Sequence, residues 1–291
     1  MLDYPALLAL AEVLRTGSFE QAARALNVTP SAISQRIKAL EDRTGAPLVL
    51  RGTPCTGTQT GRRLALHAEQ VRLLEQGLDL AGERTTTLTR PPVIRIAVNA
   101  DSLASWLIPA LAEVKGVLFD LVIDDQDHCD EWLTRGEVWA AITANPAAQT
   151  GCDSLPLGAL RYIATAAPAF IAEHFAQGVT AEALARAPSL VFNAKDRLQA
   201  QWAKMETGVS APLPAHILPS PQAFLDAARA GLGWGMNIET MAREDLAAQR
   251  LVSLSPRHLD VALHWKVLRA MKGPLTPLTA AVRSAAARVL I

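Results

Sequence analysis

Residues 19–40, FEQAARALNVTPSAISQRIKAL, constrain the fold more than any other stretch, because Asn-Val-Thr-Pro cuts apart two apolar-striped segments. Phe19, Ala22, Ala23 and Leu26 fall at i, i+3, i+4 and i+7, the buried stripe of an amphipathic helix. Ile33, Ile37 and Leu40 repeat the stripe after the break. Thr29 is a good N-cap, and Pro30 stands at the first helical position, where its missing N–H costs nothing. Two short helices joined by a tight turn predict a helix-turn-helix, the unit that lays its second helix in the DNA major groove.

The face left over on the second helix carries the chemistry. At about 100° per residue, Ser31, Gln35, Lys38 and Asp42 lie opposite Ile33, with Ser34 and Arg36 on the flanks. Ser, Gln, Lys and Arg donate hydrogen bonds to phosphates or base edges. Ser31, Ser34, Gln35, Arg36 and Lys38 are therefore the candidate DNA contacts, with Thr29 and Pro30 starting the helix against the backbone. A helical hairpin with an ordinary solvated face is the competing reading. The formal net charge is zero, and residues 1–60 hold six Arg/Lys against five Asp/Glu, which argues against a sequence-blind nucleic-acid coat.

Around this pair, Pro5 to Arg15 reads as a first helix, and Gly45-Ala46-Pro47 ends the third. LVLRGTPCTGTQT (48–60) suits a short β-hairpin, or wing, with Arg51 as a candidate phosphate contact. A long helix is predicted from Gly61 to about Glu83, with Leu64, Ala68, Val71, Leu74 and Leu78 as its seam. A lone helix with a narrow seam needs a partner, either a second copy of itself or its own chain. TTTLTRPP (85–92) is a polar, Pro-ended linker and the clearest domain boundary.

After the linker the pattern becomes strands alternating with helices. VIRIAVNA, VLFDLVI, VWAAIT, SLVFN, AHILP, LGWGMNI and VALHWKVLR read as strands, with helices between them and a last helix from about Pro277 to Leu290. Repeated βαβ units predict parallel sheets whose ligands bind beyond the carboxyl ends of the strands. Enzyme signatures are absent: there is no GxSxG elbow, HExxH or phosphate loop, and Gly231, Gly233 and Gly235 lack the dinucleotide spacing. His174, His216, His258 and His264 are scattered, and Cys55, Cys129 and Cys152 show no metal spacing, so neither metal nor cofactor is expected. Cys129 and Cys152 as a redox pair compete with plain reduced thiols. No apolar run reaches transmembrane length and no signal peptide is seen, so a cytoplasmic protein is expected.

The residues FEQAARALNVTPSAISQRIKALEDRTGAPLVLR, followed by Thr58, Gly61, the long helix and the α/β remainder, resemble the LysR-type transcriptional regulators over essentially the whole chain. SAISQRIKALE, VNADSLASWLIPAL, RGEVWAAIT and SPQAFLDAARAGLGWGM are similar to the ArgP/LysG branch, which controls export of basic amino acids. Some members of that branch have been described as inhibitors of chromosome replication initiation. The chain departs from the family at Gly57, commonly Leu, and at Asn237-Ile238, where many relatives carry a Pro.

The resemblance implies an N-terminal winged helix-turn-helix (1–60), a dimerising linker helix and hinge (61–92), and a two-lobed, periplasmic-binding-protein-like α/β effector domain (93–291). Lobe one would be 93–162 plus 264–291, and lobe two 163–263. The implied partners are double-stranded DNA, a small-molecule effector, further copies in a dimer or tetramer, and RNA polymerase, with no membrane. For a basic amino acid, Asn99, Asp101 and Ser102 at the end of the first strand are candidates for the α-carboxylate and ammonium. IDDQDH (123–128) offers Asp125 and Asp127 as a cation seat, against a solvated acidic loop as the alternative. Thr143 and Ser220 complete the candidate effector residues, and simple capping competes at both. Trp106 is expected to pack rather than touch ligand. A regulator with an unrelated effector, or a DNA-architectural protein without one, remains open at this point.

Overall fold

Helix α1 (Tyr4–Thr16) has Pro5 in its first turn and stops at Gly17, whose φ of 67° is the left-handed conformation that glycine adopts freely. The computed structural model describes residues 3–76, 91–210 and 212–291. Ser18 caps α2 (Phe19–Ala25), its hydroxyl accepting from the Gln21 N–H at 3.3 Å. Asn27, at φ 52°, turns the chain, and Thr29 caps α3 (Pro30–Thr44) by accepting from the Ala32 N–H at 3.2 Å. Ile33, Ile37 and Leu40 share one core with Leu7, Leu10, Val13, Ala22 and Ala23. The stripes read in the sequence are the core of this unit.

The wing is a minimal hairpin, β1 (Val49–Leu50) antiparallel to β2 (Thr56–Gly57). Glu41 of α3 holds its base, accepting from Leu48 N–H at 2.7 Å and Val49 N–H at 3.3 Å. Thr58 then donates to the Pro47 carbonyl at 2.9 Å and receives the Gly61 N–H at 3.1 Å. Gly61 must be glycine: a Cβ there would sit 2.0 Å from the Leu48 carbonyl oxygen.

Helix α4 (Gln59–Gln76) belongs to two cores at once. Ala68 packs in the core formed by α1, α2 and α3, whereas Leu66 and Leu73 join the core of the α/β unit. The Glu69 carboxylate accepts from the Val93 N–H at 3.2 Å, and Arg62 donates to the Gly57 carbonyl at 2.7 Å while lying 3.6 Å from Glu137. Residues 77–83 of the expected helix, Leu78 included, and 85–90 of the expected linker lie outside the described residues. Leu74 of the predicted seam is 45% exposed.

The remainder alternates as the pattern predicts. β3 (Val93–Val98) leads into α5 (Ala100–Ser102), a π-turn at Leu103–Leu107 and α6 (Ile108–Glu113). β4 (Leu118–Ile123), α7 (Glu131–Thr134) and β5 (Ala140–Thr143) follow. Next come the long β6 (Cys152–Ala166), α8 (Pro168–His174), α9 (Ala181–Leu184) and β7 (Ser189–Val191). α10 (Leu198–Thr207), β8 (Ala215–Ile217), α11 (Pro221–Arg229) and β9 (Gly235–Ile238) are followed by α12 (Glu239–Ala247), the long β10 (Val252–Leu268) and α13 (Thr276–Val289). Among the described residues no helix is long and apolar enough to cross a membrane.

β3 pairs in parallel with β4 and β5, and β7 with β8, as expected of βαβ units. β10 runs antiparallel to both β5 and β6, giving a six-stranded sheet in the order β4-β3-β5-β10-β6-β9. The sequence reading has no strand at β6, because Pro156 and Gly158 interrupt its alternation. The structure accommodates them where the β6–β10 register shifts between Leu263 and His264. The expected lobe boundaries at 162–163 and 263–264 fall inside β6 and β10, so the two halves share continuous hydrogen-bonded backbone.

At the centre of the first half, Lys266 is fully buried, its ammonium 2.8 Å from Asp130 Oδ2 and 2.8 Å from the Ala147 carbonyl. Asn145 donates to the same Asp130 oxygen at 2.9 Å. Removing one member of such a pair strands the other charge in the interior. Lys266→Met should therefore lower the unfolding free energy by about 3–5 kcal/mol. Urea denaturation followed by tryptophan fluorescence measures it, and a loss below about 1 kcal/mol would show the pair to be dispensable.

Candidate functional site

The first surface is the outer side of α3. Thr29, Pro30, Ser31, Ser34, Gln35 and Lys38 are exposed, and Arg36 is half-buried on the flank, as the helical arithmetic predicts. Ser31 and Thr29 hydroxyls lie 2.9 Å apart at the helix start, so the cap and the first candidate contact are coupled. Among the described residues neither Arg36 nor Lys38 has an ion-pair partner, whereas the Glu41 carboxylate is engaged by the wing's N–H groups. Arg51 is exposed, with its guanidinium carbon 5.6 Å over the Phe19 ring, a cation–π seat that holds it beside the start of α2.

The second surface is a cleft at the carboxyl ends of β3 and β4. β3 runs into Asn99, which is buried with both amide atoms unpartnered, and the Ser102 hydroxyl is likewise buried without a partner. Leaving such groups unpaired is costly, and a ligand at the cleft would satisfy Asn99. β4 ends in the acidic loop. Asp124 accepts from the Asp125 N–H at 2.8 Å and the Trp132 indole N–H at 2.8 Å, and Asp125 accepts from the Asp127 N–H at 3.1 Å. Facing them across a cavity of about 210 Å³ are Phe192, Lys195, Asp196, Arg197 and Gln201.

A narrower chamber of about 30 Å³ opens behind Asp101. Tyr162 donates to Asp101 Oδ2 at 2.5 Å, and Asp196, Gln199 and Asn237 share its lining with the apolar Phe192, Leu198, Phe224 and Met236. Burial pushes the Asp101 carboxyl up to about 6, with the Tyr162 hydrogen bond acting against the rise and Asp196 and Asp125 adding to it. Burial and the neighbouring Asp101 hold the Tyr162 phenol well above its usual range. Burial, then Asp125, raises Asp127. At Asp124 burial also pulls upward, but the Trp132 and Asp125 hydrogen bonds and the Lys195 charge bring it below the usual value.

Asn99, Asp101, Asp125 and Asp127 thus share one cleft, and Ser102 is buried. Thr143 and Ser220 do not line it. Thr143 donates to the Gln126 carbonyl at 2.8 Å and receives the Asn145 N–H at 3.1 Å, so it braces the acidic loop from behind. Ser220 caps α11 by accepting from the Ala223 N–H at 3.3 Å. Trp106 is buried in the core. Cys129 and Cys152 lie in one apolar cluster as free thiols, and burial pushes both above the ordinary thiol range, which favours the unreactive protonated form.

Sequence reasoning missed Tyr162, Asp196, Gln199 and Asn237. Asn193-Ala-Lys-Asp196 carried a usable signal, an Asx-rich turn before a helix: Asp196 accepts from the N–H groups of Phe192 at 2.9 Å and Leu198 at 3.0 Å. Among the described residues no cluster of His, Cys, Asp and Glu is arranged to hold a metal ion.

Comparison with known proteins identifies the two units that carry these surfaces. Residues 5–62 match the model of the bacterial regulatory helix-turn-helix protein, lysR family, and residues 90–290 match the LysR substrate binding domain. The chain is 41% identical over 287 residues to the HTH-type transcriptional regulator LysG of Mycobacterium tuberculosis, covering 98% of this chain and 94% of that one. It is 44% identical over 269 residues to the regulator ArgP of Pseudomonas fluorescens, covering 91% and 90%. Among solved structures, ArgP from Mycobacterium tuberculosis superposes with a TM-score of 0.81 at 41% identity, covering 100% of this chain and 99% of that one. Full-length LysG from Corynebacterium glutamicum with bound effector Arg gives 0.68 at 33% identity, covering 99% of each. These matches show that the chain belongs to the LysR family: a DNA-binding transcriptional regulator with an effector-binding domain, and not an enzyme.

Proposed function

We propose that this regulator senses a basic amino acid, L-arginine or L-lysine, in the cleft between its two lobes and thereby controls an amino-acid exporter gene. The observation that carries the reading is charge: Asp101, Asp124, Asp125, Asp127 and Asp196 face the same cavity as only two cations, Lys195 and Arg197. Such a cavity attracts a cationic ligand and repels an anionic one. Asn99 and the helix start above Ser102 take the α-carboxylate, with Lys195 or Arg197 closing from the other side, and the aspartates take the positive groups. The arginine bound to the Corynebacterium relative supports the same ligand class.

On DNA, Ser31, Ser34, Gln35, Arg36 and Lys38 read bases and phosphates, Thr29 and Pro30 set the helix start against the backbone, and Arg51 of the wing takes a phosphate. The working unit is a dimer or tetramer whose seating on a promoter changes with effector and meets RNA polymerase. Thr143 and Ser220 serve by holding loops rather than by touching effector.

Arg36→Ala should weaken binding to the operator by about 1–3 kcal/mol if Arg36 pairs with a base. Fluorescence anisotropy with labelled operator DNA measures this, and unchanged affinity removes Arg36 from the reading face.

The aspartates give a pH signature. A bound cation stabilises ionised Asp101, whose carboxyl in the free protein stands at about 6. Binding near pH 6 should therefore release a proton, and affinity for L-arginine or L-lysine should fall as pH drops from about 7 to about 5. Calorimetry at pH 6 in two buffers of different ionisation enthalpy measures the release. Equal heats in both, with saturable binding, would place the cation away from Asp101.

A further inference from the structure

Gln199 is 2% exposed, and both atoms of its carboxamide lack a hydrogen-bond partner. It stands in the first turn of α10 and lines the narrow chamber behind Asp101. Asn237, 4% exposed, lines the same chamber from β9. Its Nδ2 is committed to the Thr165 hydroxyl at 2.9 Å, which leaves Oδ1 as the acceptor. The chamber is also bordered by the Asp101 carboxylate and by Asp196, whose two oxygens already hold backbone N–H groups. Hydrogen-bond acceptors therefore outnumber free donors, and the remaining wall is apolar.

The chamber, about 30 Å³, has room for the end of a side chain rather than for a whole amino acid. A guanidinium ends in two NH2 groups held in one plane, with five N–H donors in a fixed fork, whereas an ammonium is a single compact centre. We infer that Gln199 and Asn237 form a carboxamide pair that reads the guanidinium end of the effector behind Asp101, so that the site selects arginine over lysine. The inference rests on the proposed basic-amino-acid reading and adds which end of the ligand enters the inner chamber. The outer cavity, with Asn99 and the 124–127 loop, then holds the α-carboxylate and α-ammonium, which arginine and lysine share. Discrimination therefore falls to the inner chamber. Gln199 acts here as a specificity residue: a donor-poor pocket wall without it would still accept an ammonium through Asp101.

The test uses the full-length protein in calorimetric titrations with L-arginine, L-lysine and Nω-monomethyl-L-arginine. Wild type should bind arginine at least about tenfold more tightly than lysine, and the methylated ligand should lose a similar factor because one donor is blocked. Gln199→Met keeps the side-chain length and removes both polar atoms. It should weaken arginine by about tenfold and lysine by less than about threefold. Equal wild-type affinity for arginine and lysine, full acceptance of the methylated ligand, or an equal loss of both amino acids in Gln199→Met would each overturn the inference while leaving basic-ligand sensing intact. Failure of wild type to bind either amino acid would overturn both readings together. Should the variant not fold, by circular dichroism and thermal unfolding, the methylated ligand on wild type still decides.

Discussion

The buried Lys266–Asp130 pair is the contact around which the first half of the effector domain is arranged. Its ammonium comes from β10, its carboxylate from the start of α7, and its other partners, Asn145 and the Ala147 carbonyl, from the loop after β5. Gln149 adds a bond to the Asp130 carbonyl at 3.2 Å. Three segments distant in sequence are thus fixed by one charge, and the acidic loop that precedes Asp130 inherits a defined exit. A buried cation also has an electrostatic consequence. Lys266 is spent on Asp130, so it does not neutralise Asp124, Asp125 or Asp127, and the cleft keeps their negative charge.

Two acids of the cleft show how hydrogen bonds and burial set carboxylates apart. Asp124 is tied to the Trp132 indole and a backbone N–H, and it sits below the usual carboxylate range. Asp101 has a single strong donor, Tyr162, and burial leaves its carboxyl raised to about 6. Each unit of such a rise corresponds to about 1.4 kcal/mol of penalty on the charged form. At neutral pH the cleft therefore carries a buried ionised group whose charge a cation would stabilise.

Much of this was legible in the sequence, and the reason differs by region. Thr29, Pro30 and the Ile33–Ile37–Leu40 stripe announce α3 because cap, proline and period all operate within a few residues. The exposure of Ser34 and Gln35 follows from the same arithmetic. Asn99, Asp101, Asp125 and Asp127 follow strand ends, and the structure places them around one cavity, but strand position alone does not separate a ligand seat from a solvated acidic loop, and preferring the seat rested on the family resemblance. Tyr162 lies on a strand that the sequence reading did not contain, because Pro156 and Gly158 interrupt its alternation. Gln199 and Asn237 meet Asp101 only after β6 and β10 bring the second half round, a juxtaposition no local pattern encodes. Thr143 and Ser220 are capping-type residues at the right topological positions, and topology alone does not separate bracing from ligand contact.

The two functional surfaces are joined within one chain by α4 and by two polar contacts. Leu66 and Leu73 of α4 sit in the effector core and Ala68 in the DNA-binding core, so neither unit can shift along the helix without disturbing packing. Arg62 ties the Gly57 carbonyl of the wing to Glu137, which follows α7 and, through it, the acidic loop of the cleft. Continuity of this kind is geometry, whereas regulation is a difference in free energy. A ligand in the cleft changes the DNA-binding unit only to the extent that it favours one arrangement of these contacts over another. Glu137 is almost fully buried at this junction, and at 3.6 Å its pairing with Arg62 is looser than the 2.8 Å bond between Lys266 and Asp130. The shorter contact, Lys266 with Asp130, lies wholly inside the effector domain, and the longer one, Arg62 with Glu137, is the contact that faces the wing.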